Sequence, residues 1–562
     1  MRSRYPLLQR GLFPETLPPC FTSVDLKRAL RGIVGDLTAN ALRKQPADYV
    51  PYSGTKHDGS RRQFGTPNPI PYFHVAGFVA RHWRTFERRF AASPFSVSSP
   101  RLAPDGADRP IVIPSLSELA SVASRNLRHS SHILKTDVAQ FFPSIYTHSI
   151  PWSAHGIEAA KADRSEQSTR NTFNQLDLFV QGCQRGETRG LLVGPDAFRL
   201  IAEFIAAGID VEIKQQLGDR IVGAARHVDD YYIGIGNEAE ALFALSAVRE
   251  ALLRMRLNVN DTKTRVMPGV EPLNELWAQR LRRQVDELGP MADDDELTLV
   301  LTEALALARE TRSDSPVKIA LRGLDEIAAY DDDDAWATVE PHLQRILHHH
   351  PHCLDYIALL AVKRHARGHE VDREGWRSVA HTLAARHVAL NHHHEAIWLT
   401  WMLLSMDLGV EDRLAEALAE NGNAHVTSLV VAAHLQGKLP RRPRVQLGQR
   451  LASTDANWLV NMVARAGGHS RASFGGVLAA EFEHLATKRL SLIDLDAHLQ
   501  NAATDAKAIS RTRYGYDQPD AGQGSDDDDE DEDDDMRDAT DFGDVDDDLD
   551  EQFLERISRD NT

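Results

Sequence analysis

Cysteine is scarce in this chain: three residues, Cys20, Cys183 and Cys353, spread over 562. So few and so scattered, they exclude a disulfide framework and fit a reducing cytoplasm. Long apolar runs are missing too. No stretch approaches the ~18 consecutive apolar residues of a membrane span, and the opening MRSRYPLLQRGLF has no apolar core of leader length. The expectation is a cytoplasmic protein with no membrane partner. No strict internal repeat period is legible, and at 42% hydrophobic and 26% charged residues the composition is that of an ordinary globular chain. The length allows two or three domains, each able to bury a core.

Charge is abundant but unevenly placed. The net value is −18, yet residues 517–562 hold 22 acidic and 3 basic residues, which leaves 61 basic and 60 acidic in residues 1–516. The first 135 residues carry 20 Lys and Arg against 9 Asp and Glu, so a phosphate-bearing partner is expected to meet that end. The tail, with its run SDDDDEDEDDDM, cannot bury enough apolar surface to fold and is predicted to be disordered from residue 511.

Three regions follow. Residues 1–288 mix strand-like runs with helices and hold most of the Pro and Gly punctuation, as in FPETLPPCF (13–21) and GTPNPIPYF (65–73). Residues 289–510 read almost entirely as amphipathic helices with short polar connections, for example LTLVLTEALALARE (297–310) and HEAIWLTWMLLSMDLGV (394–410); this succession predicts a HEAT-like helical array. Histidine clusters at 347–353 and 391–395 are rich in possible zinc ligands, but no ligand spacing recurs, and histidines complementing helix ends explain them as well.

The stretch AARHVDDYYIGIG (224–236) sets two adjacent carboxylates, Asp229 and Asp230, between two β-like runs, at the tip of a predicted hairpin. Adjacent like charges beside buried strands are costly unless something cationic meets them. Upstream, the strand-like HILKTDV delivers Asp137 at its end, followed by Phe141, Phe142 and Pro143. Asp137 alone would serve as a helix cap. Together, three carboxylates at strand ends about 90 residues apart satisfy the needs of a two-metal site, in which two Mg²⁺ ions roughly 4 Å apart clamp the attacking and leaving oxygens of a nucleotidyl transfer. Between them, RGLLVGPDAFRLIAEFIAAGID (189–210) brings a loop bracketed by Gly190 and Gly194 into a helix, with Pro195 suited to its first position.

In their order, Asp137 with Phe141-Phe142, Gly190 to Gly194-Pro195, and Val228-Asp229-Asp230 resemble motifs A, B and C of the reverse-transcriptase palm, and LNVNDTKTRVM (257–267) resembles motif D. More narrowly, GLFPETLPPCF, NPIPYFHV, FFPSIYTHSIPWSAHG and GPDAFRLIAE resemble bacterial abortive-infection and defence-associated reverse transcriptases, whose palm is followed by a helical-repeat domain. The resemblance covers roughly residues 11–270 and implies an α+β fold: a right-hand fingers–palm core, an all-α repeat domain and the acidic tail.

It further implies Mg²⁺, or Mn²⁺ in its place, held by Asp137 and Asp229 with Asp230 adjacent and Val138 as a further metal contact. Phe142 would be the gate against a 2′-hydroxyl, beside Phe141; Lys263 would neutralise or protonate the leaving pyrophosphate. Arg109, with Arg101 as its rival, would pair with the incoming triphosphate, and Gly194 would lie close to the substrate. The implied activity is DNA synthesis from dNTPs, RNA-directed or template-independent, in antiphage defence. The implied partners are an RNA template or noncoding RNA, the DNA product, a companion defence protein and further copies of the chain. Two positions depart from the usual motifs: His227 stands where motif C opens with Tyr or Phe, and Val193 stands where many relatives carry Gln. The second departure opens template-independent synthesis. The rival readings are a retron-like enzyme on a dedicated RNA template and a catalytically idle scaffold.

Overall fold

The computed structural model describes residues 1–496 and 499, except 2, 41–45, 105–106, 115, 274–275 and 290–291. The acidic tail at 511–562 lies outside the described residues. The architecture is mixed α and β, with helices in the majority.

Helix α1 (Tyr5–Arg10) is followed by the hairpin β1 (Val50–Thr55) and β2 (Arg61–Thr66), and then by helix α2 (Pro69–Arg81). The Pro-rich punctuation at 65–73 is the start of that helix. Asn68 caps it by accepting the Ile70 N–H at 3.1 Å, and Pro69 fills the first turn, where no N–H is needed.

Next come strand β3 (His132–Asp137), helices α3 (Phe173–Gly182) and α4 (Asp196–Leu217), the hairpin β4 (Ile221–His227) and β5 (Asp230–Ile235), helix α5 (Glu240–Arg254) and strand β6 (Arg265–Pro268). The strands form one antiparallel sheet in the order β4-β5-β3-β6. Alternation decides its two faces. Tyr231, Ile233 and Ile235 of β5 enter the main core, while Tyr232 joins Ala123, Leu127, Ile133, Ala225 and Met267 in a smaller cluster. Pro195 sits one residue before α4 instead of at its first position, with extended backbone, so Asp196 opens the helix.

From α6 (Leu276–Leu288), through α7 (Asp294–Thr311) and α8 (Ser315–Glu326), the chain is a run of helices that pack mainly on the next helix or the next but one. A capping box between Asp293 and Glu296 starts α7. Helices α9 (His393–Ser405) and α10 (Ala424–Leu435) are buried almost all round, as their apolar sequences require. The region read as all-helical also contains a two-residue parallel pairing of Leu451–Ala452 with Phe474–Gly475. A pairing so short leaves no alternation for a sequence to display.

The histidine runs divide. His348 and His349 end their helix, as dipole complementarity requires, but His393 and His394 begin α9. A cation there would oppose the helix dipole; burial, the largest influence on both, depresses their basicity and favours neutral rings.

The helical region and the first 288 residues share one apolar core that runs from Leu7 to Leu495. Polar ties cross it: Trp398 Nε1 donates to the Thr16 carbonyl at 2.8 Å, Asn423 Nδ2 to Pro51 at 2.6 Å and Asn68 Nδ2 to Ser453 at 2.8 Å. The strongest tie is Arg61 on β2, which gives Nη1 and Nη2 to the two oxygens of fully buried Glu395 at 3.0 Å each. Substituting Arg61 with Ala removes the guanidinium from that carboxylate and leaves it the Thr55 N–H and hydroxyl as donors. We expect a loss at the low end of the ~3–5 kcal/mol typical of breaking a buried pair, because Arg61 keeps some exposure. Denaturant unfolding checks this, and a change within error would show the tie to be dispensable.

Candidate active site

The sheet register brings the carboxylates together. Asp137, last in β3, faces Asp230, first in β5, across directly paired positions, and alternation sets both on the face that carries Lys135 and Tyr232. Asp229 stands beside them in the two-residue loop Val228-Asp229. Its carbonyl accepts the Val138 N–H at 3.1 Å, which ties the hairpin tip to the end of β3. Asp137 is therefore not a helix cap; Gln140 occupies that position before the short turn Phe141–Ser144.

Three contacts hold the tip in place. Val228 has a left-handed φ of 56°, strained for a β-branched residue. Its N–H donates to Ser98 Oγ at 2.8 Å and its carbonyl accepts from Arg226 Nη1 at 2.9 Å. Fully buried Arg226 in turn reaches Glu203 at 2.7 Å and Asp210 at 2.8 Å, both on α4. His227 faces the Pro114 carbonyl at 3.1 Å through Nε2.

Electrostatically, the cluster is short of positive charge. Burial first, then the charges of Asp137 and Asp230, push the Asp229 carboxyl up to about 7. Asp230 is raised by burial and by Asp137, against Lys135, Lys263 and His227. Lys263 approaches Asp137 at 2.9 Å, and that hydrogen bond holds its ammonium above its ordinary value. Asn260 Nδ2 donates to the same Asp137 oxygen at 3.1 Å. The other, Oδ1, is buried without a hydrogen-bond partner. A buried carboxylate and two half-buried ones brought together with an open lone pair suit a hard divalent cation, for which oxygen donors are preferred.

The remaining expected residues lie around this centre to different degrees. Phe141 is buried and Phe142 half-buried, their rings 5.6 Å apart and nearly perpendicular. The Gly190 loop is fastened to them: the Leu191 N–H donates to the Phe142 carbonyl at 2.8 Å and the Gly190 N–H to Ile145 at 2.7 Å. Gly194 is needed for packing. At φ 122°, a Cβ there would fall 2.4 Å from the Pro14 ring. Arg109 holds three groups, the Phe13 carbonyl at 2.8 Å, buried Asp196 at 2.7 Å and the Gly194 carbonyl at 3.4 Å. The geometry gives it the task of a joint, and no hydrogen bond or ion pair brings it to the three carboxylates. Arg101 is exposed in a two-residue strand.

Sequence reading missed Asn260 and the charged stripe of α4. Asp196, Glu203 and Asp210 recur every seventh residue in a helix that is otherwise largely apolar from 197 to 211 apart from Arg199, which puts them on one face, and that spacing was a usable signal. Arg109 and Arg199 answer Asp196; Arg226 answers the other two. A separate group, His387, His392 and Glu395, has ligating atoms within 4.8 Å of one another. Glu395 is already held there by Arg61 and Thr55, so the group belongs to the joint between the β1–β2 hairpin and α9.

No protein-family model matches the chain, and no curated protein matches it. Among solved structures it is similar to an apo telomerase from Candida tropicalis, at 9% identity and a TM-score of 0.30, over 71% of this chain and 72% of that one. A likeness of that degree leaves the chemistry to be argued from the residues. Among the described residues, no helix is long and apolar enough to cross a membrane.

The raised Asp229 carboxyl makes a signed prediction. Its folded value lies above the unfolded one, so the native state binds the proton more tightly, and the cluster's contribution to stability falls as pH rises from about 4 to about 7. A divalent cation competes with that proton. Millimolar Mg²⁺ is expected to raise the melting temperature more at about pH 8 than at about pH 5.5. Asp229→Asn should raise the metal-free melting temperature at the higher pH and remove most of the Mg²⁺ response. An equal response at both pH values would refute the assignment.

Proposed function

We propose that this protein is a reverse-transcriptase-type nucleotidyltransferase that extends DNA from dNTPs. The observation that supports it most is the facing of Asp137 and Asp230 across adjacent strands, with Asp229 in the hairpin loop and one Asp137 oxygen left open. In this reading the first 288 residues are fingers and palm, residues 289–510 a helical-repeat domain, and the acidic tail an appendage. The motif resemblance carries the further proposals of a cytoplasmic role in antiphage defence, with an RNA or protein companion and self-association.

Asp137 and Asp229 would hold two Mg²⁺ ions, with Asp230 and Val138 beside them. When bound, the ions supply charge stabilisation at the attacking and leaving oxygens. The chain's own residues do the rest. The β3–β5 register fixes the carboxylates before substrate arrives, so little reorganisation is required at the moment of reaction. Lys263, whose side chain is more than half exposed, neutralises Asp137 while that carboxylate lacks another counter-charge. Once Asp137 is satisfied otherwise, the ammonium is free to meet the leaving pyrophosphate as a proton donor. Phe142, whose carbonyl takes the Leu191 N–H and whose ring meets that of Phe141, would act as a rigid wall against a 2′-hydroxyl. Arg109 would reach a triphosphate only by leaving Asp196, so its assigned role here is to shape the site. With Val193 in place of an amide-bearing residue, template-independent extension stands beside RNA-directed synthesis.

Purified protein with Mg²⁺ and each labelled dNTP, without nucleic acid and then with RNA or DNA templates, tests the reading. Product is expected with the parent chain and none with Asp229→Asn, Asp230→Asn. Lys263→Ala should slow extension about 10²-fold while leaving dNTP binding near its parent value. No product under any condition, or product that survives the double substitution, would overturn the proposal.

A further inference from the structure

Away from the carboxylates, two arginines converge in a cleft that no described acidic side chain lines. Arg4, immediately before α1, and Arg81, in the last turn of α2, line a small open cleft with Thr38, His74, Gln175 and Phe179. Its walls are α2, α3, the segment before α1 and the short helix Val34–Ala39, none of which carries Asp137, Asp229 or Asp230.

The pocket is built. The Arg4 guanidinium lies 4.2 Å over the Phe73 ring, which fixes its plane. Gly77 clears the space: a Cβ there would fall 2.8 Å from Arg4 Nη1 and 2.9 Å from Cζ. No carboxylate lines the pocket, and among the described residues neither arginine forms an ion pair. Burial first, and the charge of Arg81 after it, depress the basicity of Arg4. A planar fork of donors beside a second guanidinium and an amide has the chemistry of an oxyanion receptor; the Thr38 hydroxyl, which donates to the Val34 carbonyl at 2.8 Å, only closes the wall.

We propose that Arg4 and Arg81, with Gln175, form a phosphate-binding pocket, distinct from the carboxylate centre, that takes one phosphate group of a nucleotide or a nucleic acid. The arginines supply charge-assisted hydrogen bonds, and the anion removes the repulsion between them.

The test uses the full chain in EDTA, so that no metal bridges phosphate to the carboxylates. Inorganic phosphate is titrated against sodium chloride of matched ionic strength, with melting temperature and calorimetry as readouts. Phosphate should raise the melting temperature beyond the chloride control. Arg4→Gln and Arg81→Gln should each weaken binding by roughly tenfold or more, and the double variant should lose it. Without phosphate, Arg81→Gln should melt no lower than the parent, because it relieves a repulsion; this shows that the loss of binding is not unfolding. The Asp229→Asn, Asp230→Asn chain should keep the phosphate response, which separates this proposal from the polymerase reading. Competition by a 5′-phosphorylated oligonucleotide but not its 5′-hydroxyl twin would assign a terminal phosphate; equal competition would assign the backbone; none would assign a free phosphate. No shift beyond the chloride control, or a shift that persists in the double variant, would overturn the proposal.

Discussion

The buried triad of Arg226 with Glu203 and Asp210 is the interaction on which the centre of this molecule depends. Arg226 lies on the strand that leads into the Val228-Asp229 loop and holds the Val228 carbonyl with the same guanidinium that spans two carboxylates of α4. Such a cluster gives little net stability relative to apolar packing, because desolvation offsets the Coulombic gain. What it supplies is position. An apolar substitute would fill the space but would not fix a strained loop against a helix, and Asp229 sits in that loop.

The same helix serves as a spine for a second joint. Asp196, seven residues before Glu203, takes Arg109, whose other contacts gather the Phe13 carbonyl and the Gly194 loop. One face of α4 therefore orients the β4–β5 hairpin and the N-terminal segment, while its apolar residues fill the core. The Gly190 loop is tied to Phe142 by main-chain hydrogen bonds. Phe142, the loop and the carboxylates are thus parts of one braced unit.

The helical region is bound into the structure by a similar device. Arg61 reaches buried Glu395, and apolar packing continues from Leu7 to Leu495 without a break. Each joint pairs an arginine fork with a carboxylate that has lost its water, so geometry is enforced by the penalty for leaving either partner alone.

Sequence by itself determined the local pieces. Apolar runs broken at Asp137 and at Asp229-Asp230 predicted strands ending in carboxylates, and the amphipathic period predicted the helices from residue 294 onward, because both signals live within a few residues of chain. Tertiary structure alone decided what met what. That Arg109 faces Asp196, that Arg61 reaches Glu395 on α9, and that Lys263 and Asn260 share one oxygen of Asp137 are contacts between residues dozens to hundreds of positions apart. No local period encodes such pairings; they arise only when the sheet register and the packing of α4 bring charges into a space from which water has been removed.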